Sequence, residues 1–304
     1  MKFLLCIPTY NAGNLWNKWI KAYESQSVTA DQVIVIDSSS SDDTVKLAKD
    51  AMFSVFSIPQ SEFNHGGTRN QAVRFAEKFA DVLVFMTQDA ILASPDSLEK
   101  LLVPFSDPEV AAVCGRQLPH HNATLLAAHA RYFNYPSESK VKSKEDIFAL
   151  GIKAAFMSNS FAAYRLSVFE ELGGFPDNTI LAEDMYLTAK MILSGYKVAY
   201  CAEAKVFHSH NYTLKQEFQR YFDTGVFQQE QKWIQQKFGK AASEGKRFVL
   251  SELKFLSIKS PLLIPKAILY TLAKLIGFKL GYYYYMLPYK WCKVLSMHKG
   301  YWNK

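Results

Sequence analysis

Cysteine is scarce and dispersed: Cys6, Cys114, Cys201 and Cys292 are the only four in 304 residues, and no two form a C-x-x-C pair. That spacing excludes a zinc ribbon, a dithiol redox motif and a disulfide scaffold together, so a reducing, cytosolic setting fits best. A secretory leader is also missing from the reading, because the apolar run at 3–7 is too short and breaks at Pro8. Neither a G-x-G-x-x-G fingerprint nor a P-loop occurs, which disfavours nicotinamide dehydrogenases and P-loop ATPases. No nucleic-acid motif is recognisable, so no nucleic-acid partner is expected. Acidic residues almost vanish near the C-terminus: from Lys232 onward two Glu face fourteen Lys/Arg, so this segment carries +12 of a total of +7 and the rest carries −5. The basic excess is a property of the tail.

What is present is enough apolar sequence, 49%, to bury a core in one large α/β domain or in a domain with an appendage. Residues 3–7 read as a first strand, followed by the turn-rich Pro8-Thr-Tyr-Asn-Ala-Gly13 and a helix through Trp16, Trp19 and Ile20. Gln32-Val-Ile-Val-Ile36 is a second strand that runs into Asp37-Ser-Ser-Ser-Ser-Asp-Asp-Thr44 and a helix over 45–51. A third strand near 54–58 leads to Phe63-Asn-His-Gly-Gly-Thr-Arg-Asn70 and an amphipathic helix through Ala72, Val73, Phe75, Ala76 and Phe79. Val82-Leu-Val-Phe-Met-Thr-Gln-Asp89 then reads as a buried central strand ending in a carboxylate. This alternation predicts a Rossmann-like, doubly wound, mostly parallel sheet flanked by helices. The loops carrying Asp37, Arg69 and Asp89 then share one sheet edge, where open α/β sheets bind ligands. By itself Asp89 reads equally well as a site carboxylate or as the start of a turn.

Farther on the rhythm loosens. A helix over 98–105, a strand over 110–114, a helix over 123–132 and a strand over 156–164 are expected, with a short helix over 166–172. Glu183 and Asp184 fall in the first turn of a helix over 181–193, where acids are common for dipole reasons alone. Short strands at 198–201 and 205–208 end in His208-Ser-His210, whose two imidazoles share a strand face. His120 and His121 read as solvated loop residues, and 212–238 as one long helical stretch.

Pro8-Thr-Tyr-Asn11, Val35-Ile-Asp37 with its serines, an acid after the fourth strand, Glu183-Asp184 and a late His occur in that order over residues 1–230. This order resembles the family 2 inverting glycosyltransferases of the GT-A fold. Residues 63–70, Thr87-Gln-Asp89, Gly115-Arg-Gln-Leu-Pro119 and His208-Ser-His-Asn-Tyr-Thr213 narrow the resemblance to bacterial rhamnosyltransferases of O-antigen and capsule assembly, which use dTDP-L-rhamnose. The resemblance implies that Pro8, Thr9, Tyr10, Asn11, Asp37 and Ser39 line the nucleotide pocket, with Asp37 accepting the imide N–H of the base. His65, Gly66, Arg69, Gln88, Arg116, Asn159 and Glu183 would surround the substrates, with Arg69 facing the diphosphate or base. Asp89 would hold Mg²⁺ or Mn²⁺, and because Thr87 stands where the family's D-x-D motif has its first Asp, His208 becomes the expected second ligand. Asp184 would be the general base.

The expected units are a catalytic domain over 1–235 and a C-terminal helical, basic and aromatic tail over 236–304. Lys266, Lys274 and Lys279 interrupt the tail's apolar runs often enough to argue against a spanning helix. Its Tyr, Trp and Lys suit helices lying on an anionic membrane surface; the alternative is packing on the catalytic domain or, in a homo-oligomer, on a second subunit. The implied acceptor is a polyprenyl-diphosphate-linked saccharide at the cytoplasmic face of the inner membrane, to which the enzyme would bind peripherally. A transferase using a UDP-hexose or UDP-N-acetylhexosamine, and a non-catalytic glycan or sugar-nucleotide binder on the same fold, are the competing readings.

Overall fold

A computed structural model describes residues 1–76, 79–239 and 242–303. Strands β1 (Phe3–Thr9), β2 (Gln32–Asp37), β3 (Ser54–Ser57) and β4 (Val82–Met86) alternate with helices α1 (Asn14–Glu24), α2 (Thr44–Asp50) and α3 (His65–Arg74). They form the parallel order β3-β2-β1-β4, as the period of the sequence predicts. Both faces of these strands are covered. Leu4, Cys6, Ile34, Ile36, Leu83 and Phe85 enter one core, while Leu5, Ile7, Val33, Val35, Val84 and Met86 enter the other with Trp16 and Trp19. Pro8 is tolerated inside central β1 because the β4 ladder ends at Cys6, two residues earlier.

Beyond β4 come β5 (Ile91–Leu92), α4 (Ser97–Leu102), β6 (Val110–Leu118), α5 (Leu125–Asn134), β7 (Lys140–Lys142) and α6 (Ile147–Leu150). After them follow β8 (Phe161–Arg165), α7 (Leu166–Glu171), α8 (Glu183–Leu193) and β9 (Lys197–Phe207). β8 inserts antiparallel between β4 and β6, and β6 pairs parallel with β9, so six of the nine strands run one way. The consequence is geometric: the end of an antiparallel strand that faces the ligand edge is its start, so residues 158–160, just before β8, lie beside the ends of β4, β6 and β9.

Several sequence expectations shift. The strand expected at 156–164 begins only at Phe161, since Ser158 and Asn159 spend their polar groups on the site described below. The two strands expected near 198 and 205 are one, with a register break against β6 after Gly115. The long helix after Tyr212 breaks at Gln231 into α9 (Leu214–Glu230) and α10 (Lys232–Phe238). The helix expected after residue 70 already begins at His65 and ends at Arg74, and residues 77 and 78 of its expected continuation lie outside the described residues.

The tail forms α11 (Ala242–Lys259), α12 (Ile264–Tyr282) and α13 (Tyr289–Leu295). α12 lies on α9 with almost no gap: a Cβ on Gly281 would stand 1.9 Å from the Phe222 carbonyl oxygen, one on Gly277 2.3 Å from that of Phe218, and one on Gly225 2.2 Å from that of Phe278. Glycine is required here by close approach of backbones. Cys292 and Trp302 join the same core as the sheet. The segment Pro261–Tyr282 is nevertheless long and apolar enough to cross a membrane by length and composition, alone in this among the described residues.

Candidate active site

Thr9 and Asp37 end β1 and β2 side by side. Asp37 is 1% exposed, and its carboxylate accepts from the Thr9 hydroxyl at 3.0 Å and from the Ser40 N–H at 2.8 Å and hydroxyl at 2.5 Å. In this conformation it holds the loop rather than presenting an open acceptor to a base. Asn11, at φ 43°, accepts from the Ser41 N–H, and Ser39, at φ 62°, donates its hydroxyl to the Ile58 carbonyl. Gln88 clamps the main chain of Tyr10 from both sides, accepting from its N–H at 2.7 Å and donating to its carbonyl at 3.0 Å. The nucleotide-side loop is thereby tied to the residue preceding Asp89.

Asp89 is met by two imidazoles, His208 Nε2 at 3.5 Å and His210 Nδ1 at 3.8 Å, and the three ligand atoms lie within 4.8 Å of one another. Both histidines sit just past the end of β9, so convergence comes from the turn after the strand and not from strand alternation. His208 is oriented from behind. Gln117 Oε1 lies 2.8 Å from His208 Nδ1 and also accepts from Arg131, so Nδ1 donates to Gln117 and Nε2 is the nitrogen turned toward Asp89. Burial pushes Asp89 upward, but the hydrogen bond and charge of His208 outweigh it and hold the carboxyl well below its ordinary range. Burial, with His208 alongside, pushes His210 down to about 3, which keeps it neutral. A deprotonated carboxylate with two imidazoles turned toward it is a ligand set that suits a divalent cation. His121 is exposed, as expected of a loop residue, whereas His120 is half-buried with Nε2 3.2 Å from the Asp89 carbonyl oxygen, and both line a cleft of about 620 Å³ opening on Asp89.

Gln117 also donates to the Ser158 hydroxyl at 2.9 Å, and the next residue, Asn159, organises both acids of α8. Its N–H donates to Asp184 Oδ2 at 3.0 Å and its amide to Glu183 Oε1 at 2.9 Å, while Tyr164 donates to its side-chain oxygen. Ala182 precedes the helix in the left-handed region (φ 59°, ψ 35°), which aims the first turn at the sheet edge. Burial first, then the charge of Glu183, pushes Asp184 up to about 7. Asp37, Asp89 and Asp184 are therefore joined through Thr9, Tyr10 and Gln88 on one side and His208, Gln117 and Asn159 on the other.

Four residues expected around the substrates have partners within the protein. Arg69 is 4% exposed, pairs with Glu183 at 3.1 Å and donates to the His65 carbonyl, so it braces α8 and does not face an open diphosphate site. Gly66 is a packing residue: a Cβ there would stand 2.0 Å from the Pro176 carbonyl oxygen. Arg116 points away from its neighbour Gln117, as alternate residues of a strand must, and donates to the Tyr135 carbonyl. His65 meets His298 of the tail at 3.3 Å. Sequence reasoning missed Gln117, whose role depends on a partner 91 residues away.

Residues 4–173 match the model of glycosyl transferase family 2. The chain is 60% identical over 304 residues to the O-antigen chain rhamnosyltransferase RfbN of Salmonella typhimurium, covering 100% of this chain and 96% of that one. It is 58% identical over 302 residues to the O-antigen chain rhamnosyltransferase WbaN of Salmonella anatum, covering 99% and 96%. Among solved structures, a mannosyltransferase from Pyrobaculum calidifontis in complex with GDP-Man and Mn²⁺ shares the fold at a TM-score of 0.58 and 19% identity, covering 99% of this chain and 84% of that one. TarS 1–349 of S. aureus in complex with UDP does so at 0.54 and 14%, covering 94% and 91%. The fold is GT-A, and the chain belongs to glycosyl transferase family 2.

Proposed function

We propose that the chain transfers L-rhamnose, with inversion, from dTDP-L-rhamnose to a lipid-linked saccharide in O-antigen assembly, at the cytoplasmic face of the inner membrane. The names of the two Salmonella relatives support the sugar and the pathway. The observation that carries the chemistry is the joining of Asp184 to the Asp89, His208 and His210 cluster through Asn159, Ser158 and Gln117. Asp184, raised to about 7, takes the proton from the acceptor hydroxyl as that oxygen attacks the anomeric carbon from the face opposite the nucleotide. Asn159 and the Arg69–Glu183 pair fix its orientation. Asp89, His208 and His210 would hold Mn²⁺ or Mg²⁺, with Gln117 orienting His208. When bound, the ion offsets the charge of the diphosphate as the nucleotide leaves. The loop of Thr9, Tyr10 and Asn11, ordered by Asp37 and Gln88, receives the nucleotide.

Product analysis after incubation with a panel of dTDP- and UDP-sugars and a lipid-linked saccharide tests the assignment. Transfer of a deoxyhexose from dTDP-L-rhamnose is expected; turnover of a UDP-sugar in its place would overturn the donor.

A further inference from the structure

A second cavity, of about 320 Å³, lies where α5 and α9 meet the tail helices α11 and α12, and no role above uses it. His210 and Tyr212 line both this cavity and the cleft over Asp89, so the two adjoin. Arg131, Lys153, Arg220, Lys266 and Lys274 line it against only two acids, Glu217 and Glu244. Both acids are already engaged, Glu217 with Lys274 at 3.7 Å and Glu244 with Lys153 and Arg247. Arg131 is engaged by Gln117. Arg220 and Lys266 have no carboxylate within ion-pair distance among the described residues. Their charges rest instead on tyrosine faces, Arg220 5.8 Å from the Tyr212 ring and Lys266 5.5 Å from that of Tyr270.

Two cations without carboxylates, set among aromatic rings in a cavity of net positive charge, suit a ligand that combines a phosphate group with a sugar face. We propose that this cavity is the acceptor subsite and that Arg220 and Lys266 bind a phosphate group of the acceptor saccharide, a reading that rests on the transfer activity above. The donor's nucleotide belongs on the far side of Asp89, against Thr9 and Asp37, which leaves this side to the acceptor. α12 supplies Lys266 and Tyr270 to the cavity while Ile268, Leu269 and Leu272 of the same helix are exposed, so a saccharide phosphate held on a lipid would reach the cavity along that helix. The tail is thus part of the substrate-binding surface.

The full chain, with EDTA present to silence the metal cluster, is titrated with inorganic pyrophosphate and compared with Arg220→Gln, Lys266→Gln and the double variant. Lys279→Gln, on the same helix but outside the cavity, is the charge control. The double variant should bind pyrophosphate at least about tenfold more weakly, with Lys279→Gln unchanged. The melting shift produced by dTDP with Mn²⁺ should match wild type, which shows that the fold and the donor side are intact. In turnover the KM for a saccharide diphosphate should rise about tenfold while the KM for donor stays put. Equal pyrophosphate binding by wild type and double variant, or a donor KM that rises with the acceptor KM, would overturn the proposal. A saccharide diphosphate that displaces pyrophosphate no better than free pyrophosphate does would reduce the cavity to a free-anion site and overturn the acceptor assignment. Loss of pyrophosphate binding in the double variant, together with a wild type that uses no dTDP-L-rhamnose, would uphold the anion site and remove only the donor reading.

Discussion

At the scale of single residues, the role proposed for Asp184 predicts a pH response. A base raised to about 7 is protonated on the acid side, so kcat should fall as pH drops below about 7 and level off above it. Asp184→Asn should lower kcat by roughly 10²- to 10⁴-fold at every pH and erase that acid limb, while the dTDP-induced melting shift persists. An unchanged pH profile in the variant's residual activity would remove Asp184 from the mechanism. The metal cluster leads to a second expectation. Two imidazoles beside one carboxylate favour Mn²⁺ over the all-oxygen preference of Mg²⁺, so Mn²⁺ should restore EDTA-treated enzyme at a lower concentration than Mg²⁺. His210→Ala should narrow that gap, and metal titration of activity checks it. That Asp89, Asp184 and His208 come together at one sheet edge was legible, because chemistry-bearing residues followed apolar runs at fixed places in the chain. Gln117 and Asn159 were not legible as positioning groups, because an amide becomes informative only when its distant partners are known. Arg69 illustrates the same limit: a cation near a predicted ligand edge reads as an anion ligand, and only the fold shows the buried Glu183 that it pairs with. Arg69→Ala should cost about 3–5 kcal/mol in chemical denaturation by leaving that carboxylate unpaired.

At the scale of elements, the first four strands and three helices were readable because apolar periods of two and 3.6 alternate there without interruption. β8 was not, since nothing local distinguishes an antiparallel insertion from another parallel strand, and the direction of that one strand decides where Asn159 falls. The tail's helices were expected, but the surface that seats α12 was not: Gly225, Gly277 and Gly281 form a contact that spacing alone leaves indistinguishable from ordinary loop or lipid-facing glycines. Gly281→Ala tests that contact. Its Cβ would meet the Phe222 backbone, which has no flexible end to swing aside, so α12 must separate from α9. A loss of about 1–3 kcal/mol in urea unfolding is expected, together with a raised acceptor KM if the cavity between these helices opens. A variant as stable as wild type would mean that the two backbones are not held this closely.

At the scale of the whole molecule, the proposed nucleotide loop lies on the sheet edge, while the tail exposes apolar side chains. Leu262 is 92% exposed, Leu272 50%, Leu275 56% and Ile276 55%, and Tyr283, Tyr285 and Trp291 extend the same tail surface. Lys290 and Lys293 are interspersed. Apolar and aromatic side chains with lysines among them suit the headgroup layer of an anionic leaflet, each lysine contributing about 1 kcal/mol near such a surface. Deleting the tail would be a poor test, because it would strip α12 from α9 and bare the core that holds Cys292 and Trp302. Reversing the face without disturbing the fold is sharper. Leu272→Glu with Ile276→Glu replaces two exposed side chains, so the melting temperature should stay within a few degrees, roughly the shift that 1 kcal/mol produces. Each lost insertion removes about 1.5–3 kcal/mol, so flotation with anionic liposomes should weaken by more than about tenfold. Raising salt should weaken what remains, and uncharged liposomes should bind less of the wild type than anionic ones do. Equal flotation of the double variant and wild type would mean that this face does not meet the membrane, and would leave the lipid-borne acceptor without its route into the cavity.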